Sequence, residues 1–245
     1  MPLRRPRLVA LEVTTRCNLK CVMCPHGVGG VADPKDAAAD LVEALWPALA
    51  SAETVHLNGV GEPLMAEPFW AVVDRLKGRE SPRIEFNTNG LLLTAKALDR
   101  LREAPLGAIH VSVDAAKAAT YARIRGGSFA RVRRGVRDLV GRLQDQASIK
   151  LNFVVMKENL AEMVAFVDLA AGLGVRGVWF APLTETAISA ETWVVTRPDG
   201  WVFSYKDQQI VGSDPRLIEA LAAAKARGLE LGVSVEGDNI GLWAA

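Results

Sequence analysis

Short apolar runs alternate along this chain with longer stretches whose apolar residues recur at helical spacing. Residues 8–13, 54–57, 83–86, 108–113, 149–155 and 177–181 are of strand length and rich in β-branched and aliphatic residues. Between the first two, Leu41, Val42, Leu45, Trp46 and Leu49 share one helical face over residues 40–50. Further helices are predicted over 68–77, 94–102 and 160–171. A longer helical region carries Phe129, Val132, Val136, Leu139, Val140 and Leu143 at the same spacing. This repeated strand, loop, helix order predicts an α/β fold with a parallel sheet and right-handed crossovers, either doubly wound or curved into a full or partial barrel.

Past Pro182 the pattern changes. Residues 192–196 and 201–205 are aromatic-rich and flank Arg197-Pro198-Asp199-Gly200, which has hairpin chemistry. A helix over 215–226 with Gly228 as its stop, then a strand over 229–235, is expected to cover the barrel edge. The division is therefore a core over residues 1–182 and a C-terminal insertion and edge extension of the same domain over 183–245. Trp193, Trp201, Phe203 and Tyr205 are placed either as core packing or as a lid or peptide-docking edge.

Half of the 245 residues are apolar, enough for one large core. With 29 Lys plus Arg against 28 Asp plus Glu, the net charge is +1, so no bulk charge argues for nucleic acid or an anionic membrane. Arg4, Arg5 and Arg7 read as a solvated flank, since no apolar segment of signal-peptide or membrane-span length follows. Three cysteines without a pairing pattern fit a reducing compartment, and a cytoplasmic location is expected.

All three cysteines fall within one loop, Cys17-Asn18-Leu19-Lys20-Cys21-Val22-Met23-Cys24, at the end of the first strand. The stretches Gly59-Val60-Gly61-Glu62-Pro63, Asn87 to Gly90 and Ser112-Val113-Asp114 also follow strands, where parallel α/β folds carry their functional loops. Three thiolates leave one iron of a four-iron cluster open, whereas an all-cysteine zinc site or a ferredoxin cluster needs a fourth. Zinc completed by His26, His56 or His110 and redox-active thiols are the alternatives.

The Cys-x3-Cys-x2-Cys spacing with Asn18-Leu19-Lys20 and Met23 resembles the signature of the radical S-adenosylmethionine (SAM) enzymes. The resemblance covers roughly residues 8–182. It implies a partial (β/α)6 TIM-like barrel with parallel strands, here with a short C-terminal extension, and a [4Fe-4S] cluster held by Cys17, Cys21 and Cys24. It implies that SAM is cleaved to a 5'-deoxyadenosyl radical that abstracts hydrogen from a substrate. That oxidoreductase chemistry needs a low-potential electron donor such as flavodoxin or ferredoxin.

By the same resemblance, Gly59, Gly61 and Glu62 match a Gly-Gly-Glu-Pro motif in which Val60 replaces a glycine, and Glu62 is expected to meet the SAM ammonium. Arg125 resembles the Arg-Gly element that meets the SAM carboxylate, with Arg123 as an exchange candidate. Asn89, Ser112 and Asp114 are candidate contacts to ribose or methionine, though each also suits a strand-end turn. Asn152 and the backbone around Met23 are candidate adenine or ribose contacts. The substrate is expected to be a peptide side chain. A sugar, lipid or nucleoside precursor is the alternative within the chemistry, and a non-catalytic metal or redox sensor is the alternative outside it. Many similar proteins continue into a cysteine-rich C-terminal domain; no further cysteine follows here.

Overall fold

A computed structural model describes residues 5–184 and 191–237. Arg4 and parts of the predicted 183–245 extension lie outside the described residues. The chain divides into two compact units, one of residues 1–18, 31–111 and 134–149, the other of residues 19–30, 112–133 and 150–245.

The first unit carries β1 (Leu8–Leu11), α1 (Ala39–Ser51), β2 (Thr54–Leu57), α2 (Glu67–Arg75), β3 (Arg83–Thr88), α3 (Ala95–Leu101) and most of β4 (Leu106–Ser112). The four strands pair in parallel in that order, with Val9 opposite Val55, Val55 opposite Ile84 and Phe86 opposite Ile109. Val55, Leu57, Ile84, Phe86, Ile109 and Val111 are buried, the apolar content expected of strands with helices in their crossovers. Thr94 caps α3 by accepting from the Ala97 amide.

The second unit opens with α4 (Ala118–Ile124), a helix of its own ahead of α5 (Phe129–Leu143), which runs on into the first unit. Then follow β5 (Ser148–Val155), α6 (Met163–Gly172), β6 (Gly177–Pro182), the antiparallel pair β7 (Val194–Thr196) and β8 (Val202–Ser204), α7 (Tyr205–Gln208), α8 (Pro215–Leu231) and β9 (Ser234–Glu236). β6 lies between β5 and β9, parallel to both. Within the first unit the strand order is β1-β2-β3-β4, and within the second it is β5-β6-β9. All six predicted strands are present, and the fold is the predicted α/β class with parallel strands.

Two details of the C-terminal reading are corrected. The helix passes through Gly228 to Leu231, so residues 229–231 are helical and the strand is only Ser234–Glu236. A Cβ on Gly228 would stand 2.5 Å from the Val233 carbonyl oxygen, so this glycine permits a close approach. The stop is Gly232, in the left-handed conformation at φ 65.

The predicted hairpin is present, and its aromatics answer the choice between core and lid. Trp193, Phe203 and Tyr205 are buried in one apolar cluster with Val22, Ile124, Met156 and Leu183, and Trp201 packs against it half-buried. Among the described residues no helix is long and apolar enough to cross a membrane.

Candidate functional site

In the first unit the loop after β1 is held from two sides. The Arg16 guanidinium donates to both carboxylate oxygens of Asp36, at 2.8 and 2.7 Å, and the Thr14 hydroxyl donates to the same carboxylate at 2.7 Å. The carbonyls of Thr14 and Arg16 accept from the amides of Gly61 and Glu62, at 3.2 and 2.8 Å. A Cβ on Gly61 would lie 2.5 Å from each of those carbonyl oxygens, and one on Gly59 would lie 2.4 Å from the Glu12 side chain. These glycines therefore leave room for the chain's own β1 loop.

Glu62 is buried, and its carboxylate takes three protein donors: the Leu64 amide, the Thr88 hydroxyl at 2.7 Å and the Asn89 amide at 2.7 Å. It ties the loop after β2 to the end of β3. Asn89 carries the link onward, since its Nδ2 donates to Asn18 Oδ1 at 2.7 Å and points at the Cys17 sulfur from 3.8 Å. Its Oδ1 accepts from the Leu91 amide, an Asx turn that fixes the side chain.

In the second unit Cys24 caps a 3-10 turn, Pro25–Val28, and its amide donates to the Cys21 carbonyl at 3.1 Å. Burial pushes the Cys24 thiol up, with the amide of His26 and the charge of Arg125 opposing. The Arg125 Nη1 points at the Cys21 sulfur from 3.7 Å. The Arg125 Nε donates to Asp114 Oδ2 at 2.6 Å, Nη2 reaches the same oxygen, and Asp114 Oδ1 accepts from the Val154 amide at 2.7 Å.

Asp114 is fully buried at φ 61, a conformation that a non-glycine residue holds only when its surroundings fix it. Burial pushes its carboxyl up, while Arg125 and the Val154 amide pull it down. Burial also works against the Arg125 charge, yet Asp114 and Cys21 keep its pKa above the ordinary value, so the guanidinium stays charged. The two groups expected to meet SAM thus meet each other, and Arg125 meets a thiol.

The other predicted residues are placed as follows. Arg123 is exposed and pairs with Glu158 at 3.2 Å and Asp199 at 3.3 Å, the surroundings of a solvated helix residue. The Asn152 carbonyl accepts from the amides of Val113 and Asp114 and so shapes the β4 end. Ser112 ends β4 half-buried, and Met23 packs against the aromatic cluster. His26 has a buried Nε2 with no hydrogen-bond partner among the described residues.

The donor set fits an iron–sulfur cluster. All three cysteines are free thiols, and two of their sulfurs each face an N–H donor, the arrangement that stabilises and tunes thiolate ligands. Among the described residues no group of three or more His, Cys, Asp or Glu converges as around a single ion. A zinc ion needs that convergence at bonds of ~2.0–2.3 Å, whereas a four-iron cluster takes its thiolates at separate irons.

Residues 11–170 match the model of the radical SAM superfamily. The chain belongs to the radical SAM superfamily. The mycofactocin maturase MftC of Mycobacterium tuberculosis (strain H37Rv) is 29% identical over 207 residues, covering 84% of this chain and 50% of that protein. The AdoMet-dependent heme synthase of Methanosarcina barkeri is 32% identical over 172 residues, 69% of this chain and 48% of that one. A structure of Streptococcus suis SuiB bound to S-adenosylmethionine superposes with a TM-score of 0.70 at 16% identity, covering 96% of this chain and 51% of SuiB. This radical SAM chain thus spans about half the length of the relatives it matches. The family uses a [4Fe-4S] cluster and SAM, and its members are enzymes.

Sequence reasoning missed Thr88 as a partner of Glu62, Asn18 as the partner of Asn89, the Arg16–Asp36 pair and the bonds from Trp193 and Arg197 to the cysteine loop. Thr88 had a local signal, lying beside Asn89 at a strand end. The others meet partners 20 to 177 residues away, which no spacing rule reports.

Proposed function

We propose that this chain is the catalytic core of a radical SAM enzyme whose substrate is a peptide side chain. One observation carries the reading beyond family membership: Cys17 and Cys21 each face a buried N–H donor, Asn89 Nδ2 and Arg125 Nη1, whose own positions are fixed by further bonds. Such N–H donors stabilise negative charge on sulfur, which suits thiolate ligands of a reducible cluster.

When bound and reduced, the cluster and SAM supply hydrogen-atom abstraction from the substrate. Cys17, Cys21 and Cys24 hold the cluster, and the chain's remaining contributions are orientation and exclusion of water. Glu62, through Thr88 and Asn89, fixes the loop that carries Cys17. Asp114 holds Arg125 against Cys21 and keeps its charge directed there. Gly59, Gly61, Glu62 and Asn89 in the first unit, and Met23, Ser112, Asp114, Arg125 and Asn152 in the second, are the residues proposed to contact SAM. Contacts from backbone groups there carry more of its recognition than the engaged carboxylates do.

A peptide substrate follows MftC, named a maturase and matched over more of this chain than the heme synthase. The fold is shared with SuiB, which has been seen with its precursor peptide SuiA, and this supports the peptide reading. A flavodoxin or ferredoxin is the proposed electron donor.

The test is anaerobic. The full chain is reconstituted with iron and sulfide, its metal is counted, and 5'-deoxyadenosine is assayed after reduction with SAM present. About four irons per chain and nucleoside formation that Cys17→Ala, Cys21→Ala and Cys24→Ala each abolish are expected. Zinc in place of iron, or a loaded cluster that never cleaves SAM under conditions that reduce it, would overturn the reading.

A further inference from the structure

We propose that the β7–β8 hairpin is a strap that holds the cysteine loop in its ligating shape before a cluster binds, with Trp193 and Arg197 as its positioning residues. The two residues flanking Cys21 are Lys20 and Val22, and the carbonyl of each is held from the hairpin. The Trp193 indole N–H donates to the Val22 carbonyl at 2.7 Å, with the ring 1% exposed. The Arg197 Nη2 donates to the Lys20 carbonyl at 3.2 Å.

Arg197 does more than reach the loop. Its Nη2 also donates to the Ile124 carbonyl at 3.0 Å, and its Nε donates to the Arg123 carbonyl at 2.6 Å. The same Ile124 carbonyl accepts from the Val22 amide at 2.9 Å. One rigid fork of N–H donors therefore joins the cysteine loop to the segment that leads into Arg125, whose Nη1 faces Cys21. The hairpin turn is itself closed, by Arg197 N–H to the Trp201 carbonyl at 2.8 Å and Gly200 N–H to the Arg197 carbonyl at 2.9 Å.

The apolar side of the hairpin points the same way, since Trp193 and Phe203 share one buried cluster with Val22. A loop ordered only by its ligand would lose backbone entropy at the moment of binding, about 1–2 kcal/mol per residue ordered. Ordering it beforehand removes that cost from binding. The carbonyl-to-hairpin bonds are what separate this role from simple core packing, because packing survives the loss of an N–H and the bonds do not.

The experiment uses the full chain freed of metal with a chelator under reducing conditions, and follows alkylation of each cysteine by N-ethylmaleimide with mass spectrometry. Trp193→Phe keeps an aromatic ring and removes the donor, and Arg197→Met keeps the aliphatic stem and removes the fork. Trp193→Phe is expected to speed alkylation of Cys21 and Cys24 about tenfold relative to Cys17, the size expected when one hydrogen bond is lost from a local opening equilibrium, and Arg197→Met, which removes three, by at least as much. Val202→Thr, at an exposed position of the hairpin, is expected to leave all three rates unchanged.

Unchanged Cys21 and Cys24 rates in both variants would overturn the strap. So would an equal rise at all three cysteines, including that of a variant that fails to fold, because the hairpin would then serve general stability only. No cluster is needed for the measurement, so its failure is separable from failure of the proposed radical chemistry.

Discussion

Glu62 and Asp114 are buried carboxylates whose oxygens are taken up by the chain's own donors, and this fixes what substitution will do. Glu62→Gln turns one acceptor into an N–H2 group facing the Thr88 hydroxyl or the Asn89 amide. A hydrogen bond to a charged group contributes about 1.5–3 kcal/mol, so a loss of that order in unfolding free energy is expected, read from urea titrations. Arg125→Met leaves Asp114 without its cation in a dry site, where breaking a buried pair costs about 3–5 kcal/mol. Asp114→Asn in the same chain is expected to restore part of that loss, which a double-mutant cycle measures. The sequence made these side chains visible because cysteines, Gly-Glu-Pro and Arg-Gly-Gly are unusual after strands. It hid what they touch, because Glu62 meets Asn89 and Arg125 meets Cys21 only once separate crossovers have brought the strand ends together. Residue type was therefore legible, and pairing was not.

At the scale of elements, two glycines in helices have opposite forecasts. A Cβ on Gly141 in α5 meets nothing within 4 Å, so Gly141→Ala is expected to stabilise the chain by about 0.5–1 kcal/mol through helix propensity and a stiffer unfolded state. Gly228→Ala in α8 drives a methyl into the Val233 carbonyl and the Val235 side chain, with an expected loss of about 1–3 kcal/mol. Thermal melts of the two single variants check both signs together. Gly228 is also where reading the elements from sequence failed. A glycine late in an amphipathic stretch suggests a stop, but here its small size serves packing and Gly232 ends the helix. The strands were legible because each is a short apolar run between helical stretches. α4 was missed because seven residues give barely two turns of periodicity. The hairpin turn was visible in Pro198-Asp199-Gly200, whereas the burial of Trp193 against Val22 depends on contacts 171 residues apart.

For the whole molecule, the ionisable groups predict a stability plateau with limbs of different origin. Asp36, Asp74 and Asp214 lie below the ordinary carboxylate value of 3.8 because Arg16, Arg100 and Arg216 hydrogen-bond them. Asp199 does so through the Trp201 amide and then Arg123. A depressed carboxyl stabilises the fold above its unfolded pKa and loses that contribution as pH falls through the folded one. Asp114 has the opposite sign, since burial raises it, but it is one group against four. The melting temperature of the metal-free chain is therefore expected to fall as pH drops from about 5 to 3. Because the four pairs are solvent-facing, 1 M salt, with a Debye length of about 3 Å, should flatten that limb. An acid limb of equal depth at high salt would show that buried groups cause it. The alkaline limb has another source: burial holds the Cys24 thiol above its ordinary 9.0, so stability is lost as pH rises past that value. Between 9.0 and 10.5, the ordinary value of Lys77, Cys24→Ala should reduce the fall while leaving the acid limb as it was. The same raised thiol bears on cluster loading, because the ligand is the thiolate and a proton must leave Cys24 before iron can bind. Loading of the wild-type chain is accordingly expected to speed up from about pH 7 to pH 8.5, followed by iron content against time.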